Sequence, residues 1–317
     1  MITRELVIVG GGPAGMAAAI SAYENGVKDI LLLERDQYLG GILNQCIHPG
    51  FGLHHFKEDL TGPEYADRFI KGIKDIDPST SLGARGIEVS LRSFVVKISS
   101  DKVITYLKPG ALVEVKAKAL IMATGCRERT REMVHIPGTR PAGIYPAGLA
   151  QKMINIEGWL PGKEIVVVGS GDIGLIMARR FSLEGAQVKA VLEIEKQSRG
   201  LVRNVVQCLE DFNIPLYYRH KVARIIGQDR VEAVEVVEVD EAYREKTEAR
   251  FTIPCDTILM AVGLIPERDL VDSFDYAATP GLFLCGNVNK IYDLVDSVTR
   301  DSGKAGEQAA IYLRSLK

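Results

Sequence analysis

The sequence predicts an α/β fold with two similar three-layer domains, and three observations carry this prediction. A short apolar run over residues 6–9 precedes a glycine-rich turn, and an Ala-rich helical segment follows from Met16. The same order of apolar run, glycine-rich turn and helical segment returns from Gly162. Each copy continues into a second apolar run that ends in a glutamate. Buried strands that alternate with helices in this way are typical of a parallel sheet covered on both faces.

The first glycine turn has the GxGxxG spacing of a dinucleotide-binding turn. Its glycines are Gly10, Gly12 and Gly15, and the next apolar run ends at Glu34, 24 residues after Gly10. Such glycines permit the tight turn, the close approach of a pyrophosphate and the packing of helix on strand. The helix N-terminus offers free amides to the phosphates, and an acid at this distance accepts hydrogen bonds from ribose hydroxyls. The turn therefore predicts a Rossmann-like nucleotide site.

The second turn repeats this arrangement closely enough to predict a second nucleotide site. Gly169, Gly171 and Gly174 follow the strand at residues 165–168, and Glu193 lies 24 residues after Gly169. Glu193, with Glu195 close behind it, favours a free ribose 2′-hydroxyl and would repel a 2′-phosphate. The sequence therefore predicts NAD rather than NADP at this site.

The remaining segments predict how the two domains are joined. Residues 87–115 are expected to form a small antiparallel β-meander before a strand at 119–123, and residues 222–253 a second meander of two strands. The charged run at 240–248 is typical of a solvated turn. We place the boundaries near 126 and 264, so that the second domain, 126–263, is inserted into a first domain of 1–125 plus 264–317.

Composition excludes several classes of function. The net charge is −2 over 317 residues, which gives no reason to expect nucleic acid or an anionic membrane as partner. No apolar run is long enough for a transmembrane helix, and we expect a cytoplasmic protein. The five cysteines are scattered without a CxxC, so neither a zinc ribbon nor a vicinal redox disulfide is expected.

One polar loop holds a candidate nucleophile. Cys46 and His48 lie close together in a segment punctuated by Gly and Pro, and a thiol beside an imidazole can act as a thiolate. The alternative is that Cys46 packs against a cofactor and His48 hydrogen-bonds within the loop. His54 and His55 extend the cluster, but no ligand spacing supports a metal site and none is predicted.

The motifs VIVGGGPAG, MATGCRER, VVVGSGDIG, MAVGLIP and LFLCGNV, taken in order, resemble the pyridine nucleotide–disulfide oxidoreductase superfamily. The length resembles its short, thioredoxin-reductase-like branch. The resemblance implies FAD at the first site and a nicotinamide dinucleotide, NAD(H), at the second. It implies FAD contacts at Gly10, Gly12, Pro13, Ala14, Gly15, Glu34, Arg35, Gly41, Ile42, Thr124, Gly125, Gly286, Asn287, Asp296, Ser297 and Val298. It implies NAD contacts at Gly169, Gly171, Asp172, Ile173, Gly174, Glu193 and Gly263. The backbone at 296–298 would face the N1–O2 edge of the flavin, where a helix N-terminus stabilises negative charge.

Two positions depart from the superfamily pattern. Asn287 stands where the Gly-Asp motif has its acid, so this side chain carries no charge. Neither a CxxxxC after Gly41 nor a CxxC before the second turn is present, and Leu43 and His48 take the two half-disulfide positions. A dithiol disulfide reductase is therefore not expected.

A narrower resemblance lies in GGILNQCIHPGFG and in the segment from IYPAGLAQ to GSGDIG. These are similar to flavoprotein subunits that accompany amine, opine, sarcosine or glycerol-3-phosphate dehydrogenase-type partners, including the hydrogen cyanide synthase group. The resemblance implies a second flavoprotein subunit as partner and a homo- or hetero-oligomer.

The sequence as a whole leaves three hypotheses for the function: hydride exchange between NAD(H) and FAD, a peroxidatic centre at Cys46, and an electron-relay subunit whose second site holds a structural ADP or ATP.

Overall fold

The computed structural model describes residues 2–76 and 86–317. Six α-helices occur in this part of the chain, and short 3-10 turns lie between some of them. Their bounds are α1 (Pro13–Glu24), α2 (Gly62–Ile76), α3 (Ala147–Asn155), α4 (Asp172–Leu183), α5 (Val202–Cys208) and α6 (Val295–Ser315).

Nineteen strands are assigned within the same residues. They are β1 (Ile2–Val9), β2 (Ile30–Leu33), β3 (Pro49–Phe51), β4 (Leu60–Thr61), β5 (Ile87–Ser90), β6 (Phe94–Ile98), β7 (Val103–Lys108), β8 (Ala111–Met122), β9 (Cys126–Glu128), β10 (Ile144–Pro146), β11 (Glu164–Val168), β12 (Gln187–Glu193), β13 (Leu216–Tyr218), β14 (His220–Gly227), β15 (Val231–Val239), β16 (Glu245–Pro254), β17 (Thr257–Met260), β18 (Leu264–Pro266) and β19 (Leu282–Leu284).

The chain divides into two units, residues 1–127 with 265–317 and residues 128–264. The chain therefore passes between the units twice, near 127 and near 264. Unit 2 is one continuous segment, whereas unit 1 is assembled from two.

A seven-stranded sheet organises unit 1, in the order β5-β2-β1-β8-β7-β6, with β19 also paired to β8. The strands β5, β2, β1, β8 and β19 run parallel, and Leu6 of β1 lies opposite Ile30 on one side and Ala119 on the other. Side chains alternate across β1: Leu6 and Ile8 pack in the core beneath α1, α2 and α6, while Val7 and Val9 pack against the antiparallel strands. The result is three layers with helices on one face.

Unit 2 has the same layering on a smaller sheet. Its five strands are all parallel in the order β10-β17-β11-β12-β13. Ile165 and Val167 of β11 pack beneath α3 and α4, and Val166 packs against the antiparallel sheet β14-β15-β16. The prediction of two Rossmann-like layered domains, each with a meander, is confirmed.

The structure corrects the predicted extent of both meanders. The run expected at residues 87–98 is split, because β5 pairs in parallel with β2 and only β6 enters the meander. The strand β8 continues from the meander into the parallel sheet, since its first half pairs with β7 and its second half with β19. The second meander has three strands rather than two, and residues 245–248 of the expected turn lie in β16.

Among residues 2–76 and 86–317, no helix combines the length and the apolar composition needed to cross a bilayer.

Candidate functional site

The first glycine turn connects β1 to α1 in a conformation that requires glycine. Gly10 has φ +109°, and a side chain there would collide with the carbonyl oxygen of Ala123. A side chain at Gly15 would collide with the carbonyl oxygen of Gly10, so this glycine allows α1 to pack against the turn. Gly12 precedes the helix and Pro13 occupies its first turn, where a missing N–H costs nothing.

The predicted ribose acid, Glu34, is buried at the end of β2 and is tied to the turn. Its Oε2 accepts a hydrogen bond from the Gly11 amide at 2.6 Å, and its Oε1 accepts one from the Asp36 amide at 2.8 Å. The adjacent Arg35 is exposed. The carboxylate is thus fixed beside the glycine turn, as the predicted role requires.

A second glycine pair lies against the first turn. The Gly40 amide donates to the carbonyl of Gly11 at 2.9 Å. A Cβ on Gly41 would come within 3.0 Å of the Gly12 Cα, so backbone meets backbone at this point. Ile42, which follows, has 57% of its surface exposed. The segment therefore borders the space in front of Gly12 with the backbone of Gly41, which has no side chain.

Thr124 and Gly125 lie where β8 ends. The Thr124 hydroxyl donates to the carbonyl of Glu267 at 2.7 Å, and the carbonyl of Gly125 accepts from the Glu267 amide at 3.0 Å. These hydrogen bonds join the segment where the chain leaves unit 1 to the segment where it returns to unit 1.

The turn that contains Gly286 packs directly on α1. Gly286 has φ +67°, and a Cβ there would lie 2.7 Å from the Cβ of Ala14. Asn287 uses both groups of its amide within the protein, since its Oδ1 accepts from the Tyr292 amide at 3.1 Å and its Nδ2 lies 3.6 Å from the Cys126 Sγ. Asn287 therefore braces the turn through both groups of its amide.

The N-terminus of α6 carries the other predicted flavin contacts. No side chain caps the helix at Leu294. Asp296 accepts the His54 amide at 3.2 Å, Ser297 is half-buried and Val298 is buried. A cavity of about 670 Å³ within unit 1 is bordered by Asp296, Ser297, His55 and the outer face of α1.

Cys46 does not lie in an environment that favours a thiolate. Burial raises the pKa of its thiol to about 12, and its Sγ lies 3.3 Å from the carbonyl oxygen of Ile42. The His48 ring bonds the carbonyl of Pro49 through Nδ1 at 3.0 Å and packs on Phe51. A neutral thiol is a poor nucleophile, so this surrounding favours the packing role that the sequence left open.

The two following histidines serve aromatic packing and backbone contacts. The His55 ring stacks on Phe69 at 5.7 Å between centroids and also contacts Phe56 and Tyr65. Within residues 2–76 and 86–317, no group of three or more His, Cys, Asp or Glu side chains is arranged to hold a metal ion.

The second glycine turn, between β11 and α4, repeats the first in detail. Gly169 has φ +98°, and a side chain there would collide with the carbonyl oxygen of Ala261. A side chain at Gly174 would collide with the carbonyl oxygen of Gly169, whereas a Cβ on Gly171 would meet nothing within 4 Å. Open space around the middle glycine leaves room for a phosphate.

The acid of this site is also buried and bound to the turn. Glu193 accepts the Ser170 amide at 2.9 Å and the Ser170 hydroxyl at 2.6 Å through Oε2, and the Glu195 amide at 3.0 Å through Oε1. Asp172 accepts the Leu201 amide at 2.8 Å, so it anchors the segment that leads into α5. Ile173, in the first turn of α4, is partly buried against the core beneath that helix.

Gly263 lies at the end of unit 2. It has φ +105°, and its carbonyl accepts the Arg129 amide at 2.9 Å. Sequence reasoning gave no role to Arg199 and Tyr243, which meet the carboxylate of Glu195. The acid two residues after Glu193 was a sequence signal for this part of the site. No sequence signal indicated Tyr243, which lies 48 residues after Glu195.

Both turns fit a dinucleotide. Each has a middle glycine without a side chain, and each has a buried carboxylate that accepts the amide of the residue before that glycine, an arrangement that suits a pyrophosphate and a ribose. The residues present are therefore those that FAD and a nicotinamide dinucleotide need. Their contacts with either cofactor stay predictions.

Comparison with known proteins gives a consistent result. The family model described as pyridine nucleotide-disulphide oxidoreductase matches residues 4–294. Hydrogen cyanide synthase subunit HcnB of Pseudomonas protegens is 29% identical over 83% of this chain and 57% of its own length. The chain thus spans less than two thirds of that relative. The thioredoxin reductase of Listeria innocua is 24% identical over 99% of this chain and 95% of its own.

A solved structure shares the fold. The thioredoxin reductase of Lactococcus lactis superposes with a TM-score of 0.75 at 21% identity, covering 99% of this chain and 100% of its own. At this identity the likeness concerns the fold alone.

Proposed function

The chain belongs to the pyridine nucleotide-disulphide oxidoreductase family, and from that premise we propose that it moves hydride between NAD(H) and FAD. The family and its relatives here are FAD-containing NAD(P)H oxidoreductases. In our proposal, residues 1–125 with 264–317 bind FAD, residues 126–263 bind NAD(H), and the electrons continue to a partner subunit or a small acceptor. The cytoplasmic location stays a prediction of the sequence.

The observation that carries the proposal is the presence of two intact nucleotide turns in one chain. Gly10 and Gly169 share the same left-handed backbone, and Glu34 and Glu193 are buried beside them. Cofactors of this kind supply the hydride chemistry, while the protein supplies binding, orientation and charge. In this chain the turn amides would hold the pyrophosphates, and the two carboxylates would orient the adenosine riboses.

The cysteines support a function other than dithiol disulfide reduction. None of the five forms a disulfide bond, and none belongs to a CxxC or CxxxxC pair. Burial raises the pKa of Cys46, Cys255 and Cys285 to about 12, so these sulfurs stay protonated at neutral pH. A disulfide reductase needs a thiolate that can attack its substrate, and this chain does not offer the family pair.

A partner subunit is supported by the relative from Pseudomonas protegens, whose name describes a subunit of hydrogen cyanide synthase. We propose by analogy that this chain also works beside a second flavoprotein dehydrogenase subunit. The same analogy supports the alternative in which the second site holds an adenine nucleotide structurally and the chain acts as an electron relay. Whether NADH reduces the flavin distinguishes hydride exchange from the electron-relay function.

The experiment is an anaerobic visible spectrum of the purified flavoprotein before and after one equivalent of NADH. Bleaching of the flavin bands is expected, because hydride from NADH reduces the flavin. A flavin that stays oxidised, together with adenine nucleotide that copurifies, would replace hydride exchange by the relay function. Protein that takes up no flavin on reconstitution would contradict both.

The hypothesis of a peroxidatic centre is tested by Cys46→Ser. We expect NADH–peroxide turnover and flavin reduction to stay within about twofold of wild type, because a protonated thiol is not the attacking group. Loss of turnover with a flavin that NADH still reduces would restore Cys46 as a catalytic residue.

A further inference from the structure

The N-terminal turns of α1 and α6 meet at one residue of unit 1. A Cβ on Gly286 would lie 2.7 Å from the Cβ of Ala14, in the first turn of α1, and 3.2 Å from the Cγ1 of Val298, in the first turn of α6. A dinucleotide whose pyrophosphate lies at the start of α1 can therefore extend to the start of α6. The predicted flavin contacts at residues 296–298 lie at that end of α6.

The first turn of α6 carries a carboxylate with few hydrogen-bond donors around it. Asp296 Oδ2 accepts the His54 amide at 3.2 Å. Asp296 Oδ1 is buried, and it accepts no hydrogen bond of normal geometry from residues 2–76 and 86–317. Burial without a donor leaves the charge on this oxygen unscreened, since neither water nor a polar group lies against it.

In the described part of the chain, no cation forms an ion pair with Asp296. Arg300 lies four residues further along α6, the spacing at which a carboxylate and a cation commonly pair on a helix. Asp67 and Lys71 have this spacing on α2, and their charged atoms lie 2.6 Å apart. Asp296 and Arg300 do not pair in this way, so the negative charge in the first turn of α6 is not neutralised.

The charge of Asp296 already acts on a buried group beside this turn. Tyr65 is fully buried, and its hydroxyl lies 2.7 Å from the hydroxyl of Thr299, three residues after Asp296. Burial is the main cause that raises the pKa of Tyr65, and the negative charge of Asp296 raises it further. A group next to the start of α6 therefore becomes negative less readily because Asp296 is there.

Two electrostatic effects oppose each other at the start of α6. The helix dipole places about half a positive charge at the N-terminus, which stabilises negative charge on a reduced flavin. Asp296 places a full negative charge in the same turn, and its side chain is half-buried. Because a full charge exceeds the partial charge of the helix, we expect the carboxylate to offset the dipole.

We propose that Asp296 lowers the reduction potential of the flavin, so that the reduced cofactor is a stronger electron donor to the acceptor. The inference rests on the proposed binding of FAD in unit 1. The negative charge of Asp296 disfavours the negative charge that reduction adds to the N1–O2 edge of the flavin. Asp296 therefore sets how far NADH reduces the flavin and how readily the electrons move on.

The experiment measures the midpoint potential of the bound flavin, anaerobically and at one fixed pH, by equilibration with a reference dye. Asp296→Asn keeps the size of the side chain and removes its charge. At a given potential it is expected to raise the ratio of reduced to oxidised flavin by about tenfold, which is about 30 mV for a two-electron couple. Asp296→Ser is a second neutral variant with the same expected direction. Asp296→Glu keeps the charge, and its ratio should stay within about twofold of wild type.

Glu307→Gln is the matched control. It removes an equal charge from an exposed position of the same helix, about 16 Å further along its axis. A charge beyond the Debye length is screened, so the ratio should change by less than about twofold.

The outcomes separate this inference from the function on which it rests. An unchanged potential in flavin-loaded Asp296→Asn or Asp296→Ser, or an equal rise in Glu307→Gln, would overturn the inference while the bound flavin upholds the FAD site. Loss of flavin from both neutral variants would also overturn it, because the carboxylate would then serve binding rather than the potential. Wild type that binds no flavin would overturn the FAD site itself and the inference with it.

Discussion

The two glycine turns share one backbone and differ in what lies in front of them. In both, a backbone amide donates to the residue after the first glycine: Gly40 to the carbonyl of Gly11, and Gly200 to the carbonyl of Ser170. In unit 1 the chain then continues through Gly41 against the middle glycine of the turn, whereas the middle glycine of unit 2 has open space. The first turn therefore has a second backbone segment beside its middle glycine, whereas the second turn has nothing within 4 Å of a Cβ placed there.

The acids of the two turns show a second difference. Glu34 accepts hydrogen bonds from backbone amides, while Glu193 also accepts the hydroxyl of Ser170. The two turns thus share the geometry of the backbone, whereas the groups that hydrogen-bond the acid differ. The following predictions test whether equal changes in the two units have different consequences.

The largest effects are expected from Gly10→Ala and Gly169→Ala. Each variant combines an unfavourable positive φ with a collision against a carbonyl, which together cost roughly 2–5 kcal/mol. Gly10→Ala should lose bound flavin, and Gly169→Ala should keep it but lose its reduction by NADH. Gly26→Ala, with φ +96° and nothing within 4 Å of the added Cβ, is the control for strain alone. Flavin loss in both turn variants would contradict the assignment of one cofactor to each unit.

Replacing either acid by glutamine should affect cofactor binding in its own unit alone, with a smaller effect than the glycine variants. Charge-assisted hydrogen bonds are worth about 1.5–3 kcal/mol, so Glu34→Gln should weaken FAD binding by about 10-fold to 100-fold. Glu193→Gln should weaken ADP-ribose binding by a similar factor and leave the flavin content unchanged. Flavin retention after dialysis and calorimetry with ADP-ribose measure the two effects. An equal loss of FAD in both variants would argue against separate sites.

Buried thiols should make each unit sensitive to alkaline pH. Burial raises the pKa of Cys285 in unit 1 and of Cys255 in unit 2 to about 12, against a usual value of 9.0. Above pH 9 the unfolded thiol ionises while the native one does not, so the free energy of unfolding falls as pH rises. Between pH 8 and 10 the wild type should lose about 1.4 kcal/mol more than Cys285→Ala in urea unfolding.

Cys255→Ala provides the matched variant for unit 2. It should reduce the alkaline loss by a similar amount, and neither variant should alter the pH dependence below pH 8. A difference between wild type and variant that grows towards acid pH would show that another group governs the slope.

The smallest expected effect is that of Ser170→Gly, which gives the second turn the residue found in the first. Glu193 would lose the hydroxyl bond at 2.6 Å and keep the amide bond, at a cost of about 1 kcal/mol. ADP-ribose binding should weaken by about fivefold, with no change in flavin content. Tighter ADP-ribose binding would indicate that the hydroxyl competes with the ribose for the carboxylate.

Local patterns predicted the strands, turns and acids that lie close together in the sequence. The bounds of β2, Ile30–Leu33, and the position of Glu34 follow from an apolar run that ends in an acid, and the 24-residue spacing repeats in unit 2. These features depend on backbone requirements that glycine and burial make visible in the sequence. The two-unit fold was therefore predictable.

Long-range pairing was not predictable in the same way. Residues 87–90 have the same alternating pattern in a meander as at the edge of a parallel sheet, and only the pairing of β5 with β2 decides between them. The contact of Tyr243 with Glu195 depends on how the turn after β15 folds over unit 2. Likewise, the raised pKa of Cys46 follows from burial by residues that the loop sequence does not reveal.

The packing of α1 against α6 restricts the order in which the parts of the chain can fold during synthesis. A Cβ on Gly306 would collide with the carbonyl of Ala18, and the Ser21 hydroxyl bonds the carbonyl of Gly303 at 2.7 Å, so the helices touch along their backbones. On the ribosome, β1 and α1 emerge before unit 2, but α6 emerges only after the whole of unit 2 has been synthesised. Unit 2 is continuous and can fold as it emerges, so β1 and α1 reach their native packing later than the unit that follows them.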